Sequence, residues 1–169
     1  MAIPCPVKLF GLAQLLDMVT LVGGIAQSDG ITTSYIYLFD EDRQAWMTSV
    51  PPMPTARHSV TAVHHQNSLI VIGGTSPSGN LLKEVEVFNS QMWFTADPLP
   101  YPCSAMSCVV NDGICYLTGG TKSTGVMTKS TGVLTKSVLC ANIAALTYDK
   151  IAEQLQRRGS LTLLSLIHI

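Results

Sequence analysis

The sequence predicts an all-β fold that is assembled from repeated, four-stranded antiparallel sheets. Two adjacent glycines close a short apolar run at three places, namely Gly23-Gly24, Gly73-Gly74 and Gly119-Gly120. The distances between landmarks also recur, since 19 residues separate Pro54 from Gly73 and 19 separate Pro100 from Gly119. A four-strand unit that recurs at about 50 residues is typical of the blades of a β-propeller.

The first unit is predicted from apolar runs that are separated by turn residues. Residues 7–16 and 18–22 form its first two predicted strands, and the second strand ends at the first glycine pair. Residues 35–39 are rich in β-forming side chains and form the third. A short fourth strand carries Trp46, and the prolines after it end the unit because proline cannot donate to a β-ladder.

The second unit repeats this series. Residues 57–65 and 69–72 are predicted to pair as a hairpin. Residues 84–88 alternate charged with apolar side chains, which is typical of a half-buried strand. Trp93 marks the fourth strand, 47 residues after Trp46.

The third unit contains a tandem duplication. Its first two strands are predicted at 105–110 and 114–118, and residues 121–127 are then followed by a near-copy at 128–134. Without one copy, the unit regains the spacing of the second unit. The duplication is therefore predicted to lie in a surface loop, where insertions cost little, with the third strand at 138–141.

The C-terminal part leaves two alternatives open. Tyr148 lies at the spacing of the repeated tryptophan, so that a fourth strand could take it. Residues 143–158 also fit an amphipathic helix, because several apolar residues fall near one face. Residues 160–169 resemble no part of the repeat, and we expect this tail to be foreign to it and the chain to be a truncated fragment.

The composition excludes several classes of function. Charged residues make up 12% and apolar residues 47% of the 169 residues, so the chain buries surface and is not a disordered tail. The formal net charge of −1 gives no electrostatic basis for binding nucleic acid or an anionic membrane. No apolar run reaches the roughly 20 residues that a membrane span needs, and no secretory leader is predicted.

The five cysteines predict reduced thiols. Their number is odd and no Cys-x-x-Cys pair occurs, whereas a secreted disulfide framework favours an even, patterned set. We therefore expect an intracellular, cytoplasmic protein in which cysteine serves as a small apolar side chain.

The order of the landmarks resembles the kelch repeat. The first copy consists of Gly23-Gly24, Phe39-Asp40, Trp46, Met53-Pro54 and Arg57. The second copy consists of Gly73-Gly74, Phe88-Asn89, Trp93 and Leu99-Pro100. Cys103 stands where the first copy has Arg57, and the third copy keeps Gly119-Gly120 and little else.

The resemblance implies a partial kelch-type β-propeller with four-stranded antiparallel blades. Its predicted parts are a first repeat at 1–54, a second at 55–100, a degenerate third at 101–142 and an irregular or helical tail at 143–169. Kelch propellers usually have five to seven blades, and this chain supplies about three. Because each blade covers the apolar face of its neighbour, we expect open faces that a partner, a larger parent protein or self-association covers.

The resemblance also implies protein binding through loops at the mouth of the ring. Loops 25–34, 75–83 and 121–137 join second and third strands and are expected on one rim. The candidate partner-binding residues in these loops are Ser28, Asp29, Ser76, Asn80 and Lys122. We predict a non-enzymatic interaction module for an unidentified protein, without cofactor, metal or catalytic residue. The alternatives are a non-functional fragment of a larger kelch protein and, less favoured, a kelch-fold enzyme.

Other motifs favour structural roles. Residues 119–123 depart from a phosphate-binding loop because Thr121, and not glycine, precedes Lys122. His58 and His64 would lie roughly 20 Å apart on one strand, which is too far for a shared metal ion. The matched positions of Trp46 and Trp93 favour packing between blades over stacking on a ligand.

Overall fold

The computed structural model describes residues 6–111, 114–122, 133–134, 138–142 and 147–149. Within these ranges all regular secondary structure is β-strand, and all strand pairs are antiparallel. The described residues contain no helix that is long and apolar enough to cross a bilayer.

The first blade is a four-stranded sheet in the order β2-β3-β5-β6. Its strands are β2 (Gly11–Leu15), β3 (Met18–Val22), β5 (Ile36–Asp40) and β6 (Ala45–Met47). Two short strands, β1 (Val7–Lys8) and β4 (Ile25–Ala26), pair with each other beside it.

The second blade repeats this order. Its strands are β7 (Thr61–His65), β8 (Ser68–Ile72), β9 (Val85–Phe88) and β10 (Trp93–Ala96). The third blade comprises β11 (Cys103–Asn111), β12 (Ile114–Lys122), β13 (Val133–Leu134), β14 (Val138–Asn142) and β15 (Thr147–Asp149). In this sheet the order is β11-β12-β14-β15, and β13 also pairs with β12.

The blades stack through two apolar clusters. β7 lies beside both β2 and β11, so the first strands of the three blades are neighbours. One cluster joins the first blade to the second and contains Val22, Leu38 and Leu69. The other joins the second blade to the third and contains Ile72, Val85 and Leu117. This stacking of four-stranded sheets confirms the predicted all-β, partial-propeller fold.

The two tryptophans occupy matched surroundings. Trp46 pairs with Phe39 across β5 and β6, and Trp93 pairs with Phe88 across β9 and β10. The ring centroids in these pairs lie 5.2 and 5.4 Å apart. The same landmark therefore has the same neighbour in both blades.

Strand β9 differs from its prediction. Its charge alternation predicted a half-buried strand, but Val85, Glu86, Val87 and Phe88 are all buried. The strand lies in the middle of a stack, so that both of its faces are covered by other blades. Glu86 can be buried because it faces the guanidinium of Arg57.

The third blade also departs from its predicted bounds. β11 and β12 are nine residues long each, and β12 continues through Gly119 and Gly120 to Lys122. The third strand, β14, ends at Asn142, one residue beyond the prediction. Most of the duplicated segment lies outside the described residues.

A strand replaces part of the predicted helix. In β15, Tyr148 pairs with Ala141 of β14, as a fourth strand requires. The alternative of a helix over 143–158 is therefore wrong at residues 147–149, where backbone pairing with β14 wins. Residues 143–146 and 150–169, including the predicted foreign tail, lie outside the described residues.

The prediction of reduced thiols is wrong for one pair of cysteines. Cys108 and Cys115 form a disulfide across β11 and β12, with Cα atoms 6.5 Å apart. Val110 pairs with Cys115 and Cys108 pairs with Leu117, so the hairpin register places both cysteines on one face. Cys103 is a buried thiol in the apolar cluster between the second and third blades.

Candidate functional site: the loops between second and third strands

The loops that follow the first two glycine pairs have the same backbone frame. Ala26 N donates to Ile31 O at 2.9 Å, and Ser76 N donates to Asn80 O at 2.9 Å. In the first loop Gly30 N donates to Ala26 O, and in the second Gly79 N donates to Ser76 O. The first loop is one residue longer, which accounts for the 16 residues from Gly24 to Asp40 against the 15 from Gly74 to Asn89.

The glycine pairs fasten these loops to the next blade. Gly24 N donates to Arg57 O and Gly74 N donates to Cys103 O, both at 2.9 Å. A Cβ atom on Gly73 would clash with the carbonyl oxygen of Cys103, and Gly73 also has a φ of +57°. Glycine is therefore required both for the backbone conformation and for the close approach of the following blade.

The loop tips are open by contrast. A Cβ atom on Gly30 or Gly79 would meet no atom within 4 Å, although both residues have positive φ. The frame is thus rigid at its base and exposed at its tip, an arrangement that suits side chains presented to a partner.

The polar candidates in these loops have different local roles. Ser28 and Asp29 are exposed, and Oδ1 of Asp29 accepts a hydrogen bond from Ile31 N at 2.9 Å. Ser76 is half-buried, and its Oγ accepts from Asn80 N at 3.2 Å. The exposed Asn80 donates through Nδ2 to Ser78 Oγ at 3.0 Å. Asp29, Ser76 and Asn80 therefore brace their own turns while they remain at the surface.

Lys122 does not lie in a described loop. It is the last residue of β12, where it pairs with Cys103 and Val133. Most of the third predicted loop lies outside the described residues. Only the first two loops therefore build the candidate site, which we call the rim.

Two exposed apolar side chains lie in the rim or directly beside it and were not predicted from the sequence. Ile31 in the first loop is 61% exposed, and Tyr35 just after that loop is also exposed. An aliphatic and an aromatic side chain at a loop surface can anchor a protein partner. The isolated Ile31 within an otherwise polar loop was the sequence signal that could have identified it.

His58 lies beside the second loop and was considered only as a metal ligand. Its backbone exchanges two hydrogen bonds with Thr75, at 3.0 and 2.8 Å. Partial burial lowers the pKa of His58 below its usual 6.5, so the neutral ring is favoured. Lys8 holds the equivalent position beside the first loop, where it pairs with Ile25.

A buried ion pair stabilises the base of the second loop. Arg57 donates through one terminal nitrogen to Gly73 O at 2.9 Å and to Glu84 O at 3.1 Å. Its other terminal nitrogen lies 2.9 Å from Oε1 of Glu86, as an ion-pair contact and not a well-directed hydrogen bond. Thr55 Oγ1 donates to the same carboxylate at 2.5 Å.

Burial dominates the electrostatics of this pair. Desolvation lowers the pKa of Arg57, while the charges of Glu86 and Glu84 raise it and oppose that effect. Arg57 remains protonated because the ordinary pKa of an arginine side chain lies far above neutrality. It therefore ties the glycine turn to the start of β9 and fixes the base of the second loop.

In the described part of the chain, no group of three or more His, Cys, Asp or Glu side chains converges in a way that could hold a metal ion. Trp46 and Trp93 each pack in a tilted contact against a phenylalanine of their own blade.

Comparison with known proteins gives consistent matches. A family model described as Kelch motif matches residues 56–92. Kelch-like protein 40 of Xenopus tropicalis is 26% identical over 167 residues, which cover 97% of this chain and 26% of that protein. Kelch-like protein 40b of Danio rerio is 33% identical over 91 residues, which cover 52% of this chain and 15% of that protein.

A more distant organism gives the same family. A kelch domain-containing protein of Saccharolobus solfataricus is 32% identical over 74 residues, which cover 44% of this chain and 10% of that protein. The chain spans about a quarter of the length of the first of these relatives.

Proposed function

We propose that this chain serves as a kelch-repeat protein-interaction module whose contact surface is the rim. One observation carries this proposal: the two rim loops share one hydrogen-bonded frame but present different side chains. The first loop has Ser28, Asp29 and Ile31 where the second has Pro77, Ser78 and Asn80. A constant frame with variable tips is how loop-bearing scaffolds achieve specific recognition.

The exposed side chains of the rim indicate which kind of partner fits this surface. Ile31 and Tyr35 supply apolar contact area, while Asp29 and Asn80 supply polar groups around it. Such a surface fits a folded protein or a peptide that buries a small apolar patch within a polar border. We propose binding and not catalysis, and a cytoplasmic location remains a prediction.

Paired rim variants test this proposal in a pull-down from an extract, followed by binding measurements with the captured protein. We expect the Ile31→Ala and Tyr35→Ala double variant to lose at least tenfold in affinity, as anchor residues do. A variant with alanine at Ser28, Asp29, Ser76 and Asn80 should lose less.

The matched control is Met92→Ala. Met92 is 62% exposed, like Ile31, but it lies in the β9–β10 turn at the opposite end of the second blade. We expect this control to bind normally. If the rim variants stay folded and bind as tightly as Met92→Ala, the rim is not the contact surface.

A further inference from the structure

The disulfide between Cys108 and Cys115 joins two strands that are already held together along their length. Eight residue pairs connect β11 to β12, and the two cysteines are only seven residues apart in the chain. A cross-link that closes so short a loop removes less conformational freedom from the unfolded chain than a long-range disulfide does. The pairing of the two strands therefore does not depend on the bond between the sulfur atoms.

The second blade holds ordinary apolar side chains at the two equivalent positions. Strands β7 and β8 pair in the same register as β11 and β12, so Ala62 is the equivalent of Cys108. Leu69 is likewise the equivalent of Cys115. Ala62 and Leu69 pack in the apolar cluster between the first and second blades, as the two cysteines pack in the cluster between the second and third. Because a protonated cysteine behaves as a small apolar side chain, the third blade accommodates the reduced pair as well.

The two sulfur atoms differ in their access to solvent. Cys115 is 0% exposed, whereas Cys108 is half-buried and is followed by the exposed Val109. Thiol–disulfide exchange begins when a thiolate attacks one sulfur of a disulfide, and its rate depends on access to that sulfur. Cys108 is therefore the sulfur that is attacked, and Cys115 is the one that leaves.

Cys103 is a third cysteine in the same apolar cluster, at the start of β11. Five residues separate it from Cys108, which corresponds to roughly 16 Å along a strand. A disulfide requires Cα atoms within about 7 Å of each other. Cys103 is therefore too distant to replace Cys115 as the partner of Cys108.

We propose that Cys108 and Cys115 form a thiol–disulfide exchange site for a low-molecular-mass thiol. A thiolate of that thiol attacks Sγ of Cys108, the bond between the two cysteines breaks, and the sulfur of Cys115 leaves and takes up a proton. A second thiolate attacks the sulfur of the first thiol in this mixed disulfide and releases Cys108, which is also protonated. Two thiols are thereby oxidised to one disulfide, and the cysteine pair gains two electrons and two protons.

Exchange at this site changes the rigidity of the third blade. With the bond in place β11 and β12 cannot separate, whereas in the reduced pair only backbone pairing and packing hold the two strands together. Disulfides in cytosolic proteins are usually transient and redox-sensing. A reversible pair therefore reconciles this disulfide with the predicted cytoplasmic location.

Differential alkylation with peptide mass spectrometry tests the exchange, after the full chain is equilibrated in mixtures of reduced and oxidised glutathione. We expect Cys108 and Cys115 to be bonded to each other in oxidised glutathione and both to be free thiols in a large excess of reduced glutathione. The matched control, Cys103→Ala, should titrate in the same way. A pair that stays bonded in excess reduced glutathione, or that never forms in oxidised glutathione, would overturn the proposal.

Single variants test which sulfur is attacked. In Cys115→Ala, the remaining Cys108 should take up glutathione from oxidised glutathione. In Cys108→Ala, the buried Cys115 should remain unmodified under the same conditions. Modification of Cys115 in preference to Cys108 would contradict the assigned direction of attack.

Amide hydrogen exchange tests the effect on the third blade. Reduction of the wild type should speed exchange in β11 and β12 by about tenfold or more. The Cys108→Ala and Cys115→Leu double variant carries the residues of the second blade, and its exchange should not respond to the reductant. Unchanged exchange in the reduced wild type, or an equal response in the double variant, would contradict the proposal. These results do not depend on rim binding, which the Ile31 variants test separately.

Discussion

The two junctions between blades share one backbone pattern but use different side chains. At the first junction Met53 N donates to Ser34 O at 2.9 Å, and at the second Leu99 N donates to Lys83 O at 2.7 Å. Arg57 then leads into the next blade at the first junction, and Cys103 does so at the second. The guanidinium of Arg57 reaches polar groups, whereas Cys103 lies in an apolar cluster.

The residue that faces Arg57 differs from the residue at the corresponding position near Cys103. Glu86 faces Val71 across β8 and β9 and neutralises Arg57 within the second blade. The corresponding position in the third blade is Leu139, which pairs with Leu117. The comparison shows that the glycine pairs set the backbone frame. The position held by Arg57 or Cys103 accepts either an ion pair or apolar groups, provided that this residue and the one facing it change together.

The largest expected effect comes from breaking the ion pair on one side. Arg57→Met leaves the carboxylate of Glu86 buried without its cation, and we expect a loss of about 3–5 kcal/mol in the free energy of unfolding. Urea unfolding measures this loss. Adding Glu86→Leu to Arg57→Met should recover most of it, because an apolar pair matches the chemistry of the third blade.

A comparison at the second junction sharpens this prediction. Cys103→Ala removes only a small apolar side chain, so we expect a cost of about 1 kcal/mol. Equal losses for Arg57→Met and Cys103→Ala, or a double variant no better than Arg57→Met, would contradict the proposed role of the ion pair.

The next effect separates the base of the second loop from its tip. Gly73→Ala should cost roughly 2–5 kcal/mol, because its Cβ meets the carbonyl of Cys103 and its backbone is left-handed. Gly79→Ala is strained only in its backbone and should cost about 1 kcal/mol. Chemical denaturation of the two variants distinguishes them, and comparable losses would show that the third blade does not approach Gly73 closely.

A smaller effect compares the two tryptophans. Trp93→Phe removes the hydrogen bond to Pro51 O and should cost about 1 kcal/mol more than Trp46→Phe. Thermal unfolding of the two variants in the otherwise wild-type chain measures this difference. A larger loss for Trp46→Phe would contradict the stabilising role of the hydrogen bond to Pro51 O.

The smallest effect is a pH dependence from His58. Burial lowers the pKa of the folded state below 6.5, so the unfolded chain binds a proton more readily. The contribution of His58 is therefore complete above about pH 6.5 and is lost as the pH falls toward the lower pKa of the folded state. Urea midpoints at several pH values should fall more steeply for the wild type than for His58→Gln. Parallel curves would rule out this contribution.

The repeat could be predicted from the sequence because the backbone geometry of each blade requires particular residues at its landmark positions. Gly23 and Gly73 are needed where the next blade approaches, and their spacing survives changes in the side chains around them. Trp46 and Trp93 recur for the same reason, since each packs in a tilted contact against a phenylalanine of the preceding strand.

The remaining features depend on contacts between distant residues. The alternation of charged and apolar residues placed Glu86 on a solvent-exposed face of its strand. Such a pattern cannot indicate that another blade covers that face. The Cys108–Cys115 disulfide follows from the hairpin register, which the odd number of cysteines could not indicate. Ile31 and Tyr35 were overlooked because exposure at a loop has no periodic signature.

Amide hydrogen exchange at Gly24 and Gly74 tests most directly whether the blades are equivalent stacked units. Gly24 N donates to Arg57 O and Gly74 N donates to Cys103 O, both at 2.9 Å, so both amides should exchange slowly and with similar protection, close to that of the strand cores. Rapid exchange at either glycine, or protection at one without the other, would contradict the equivalence of the two junctions.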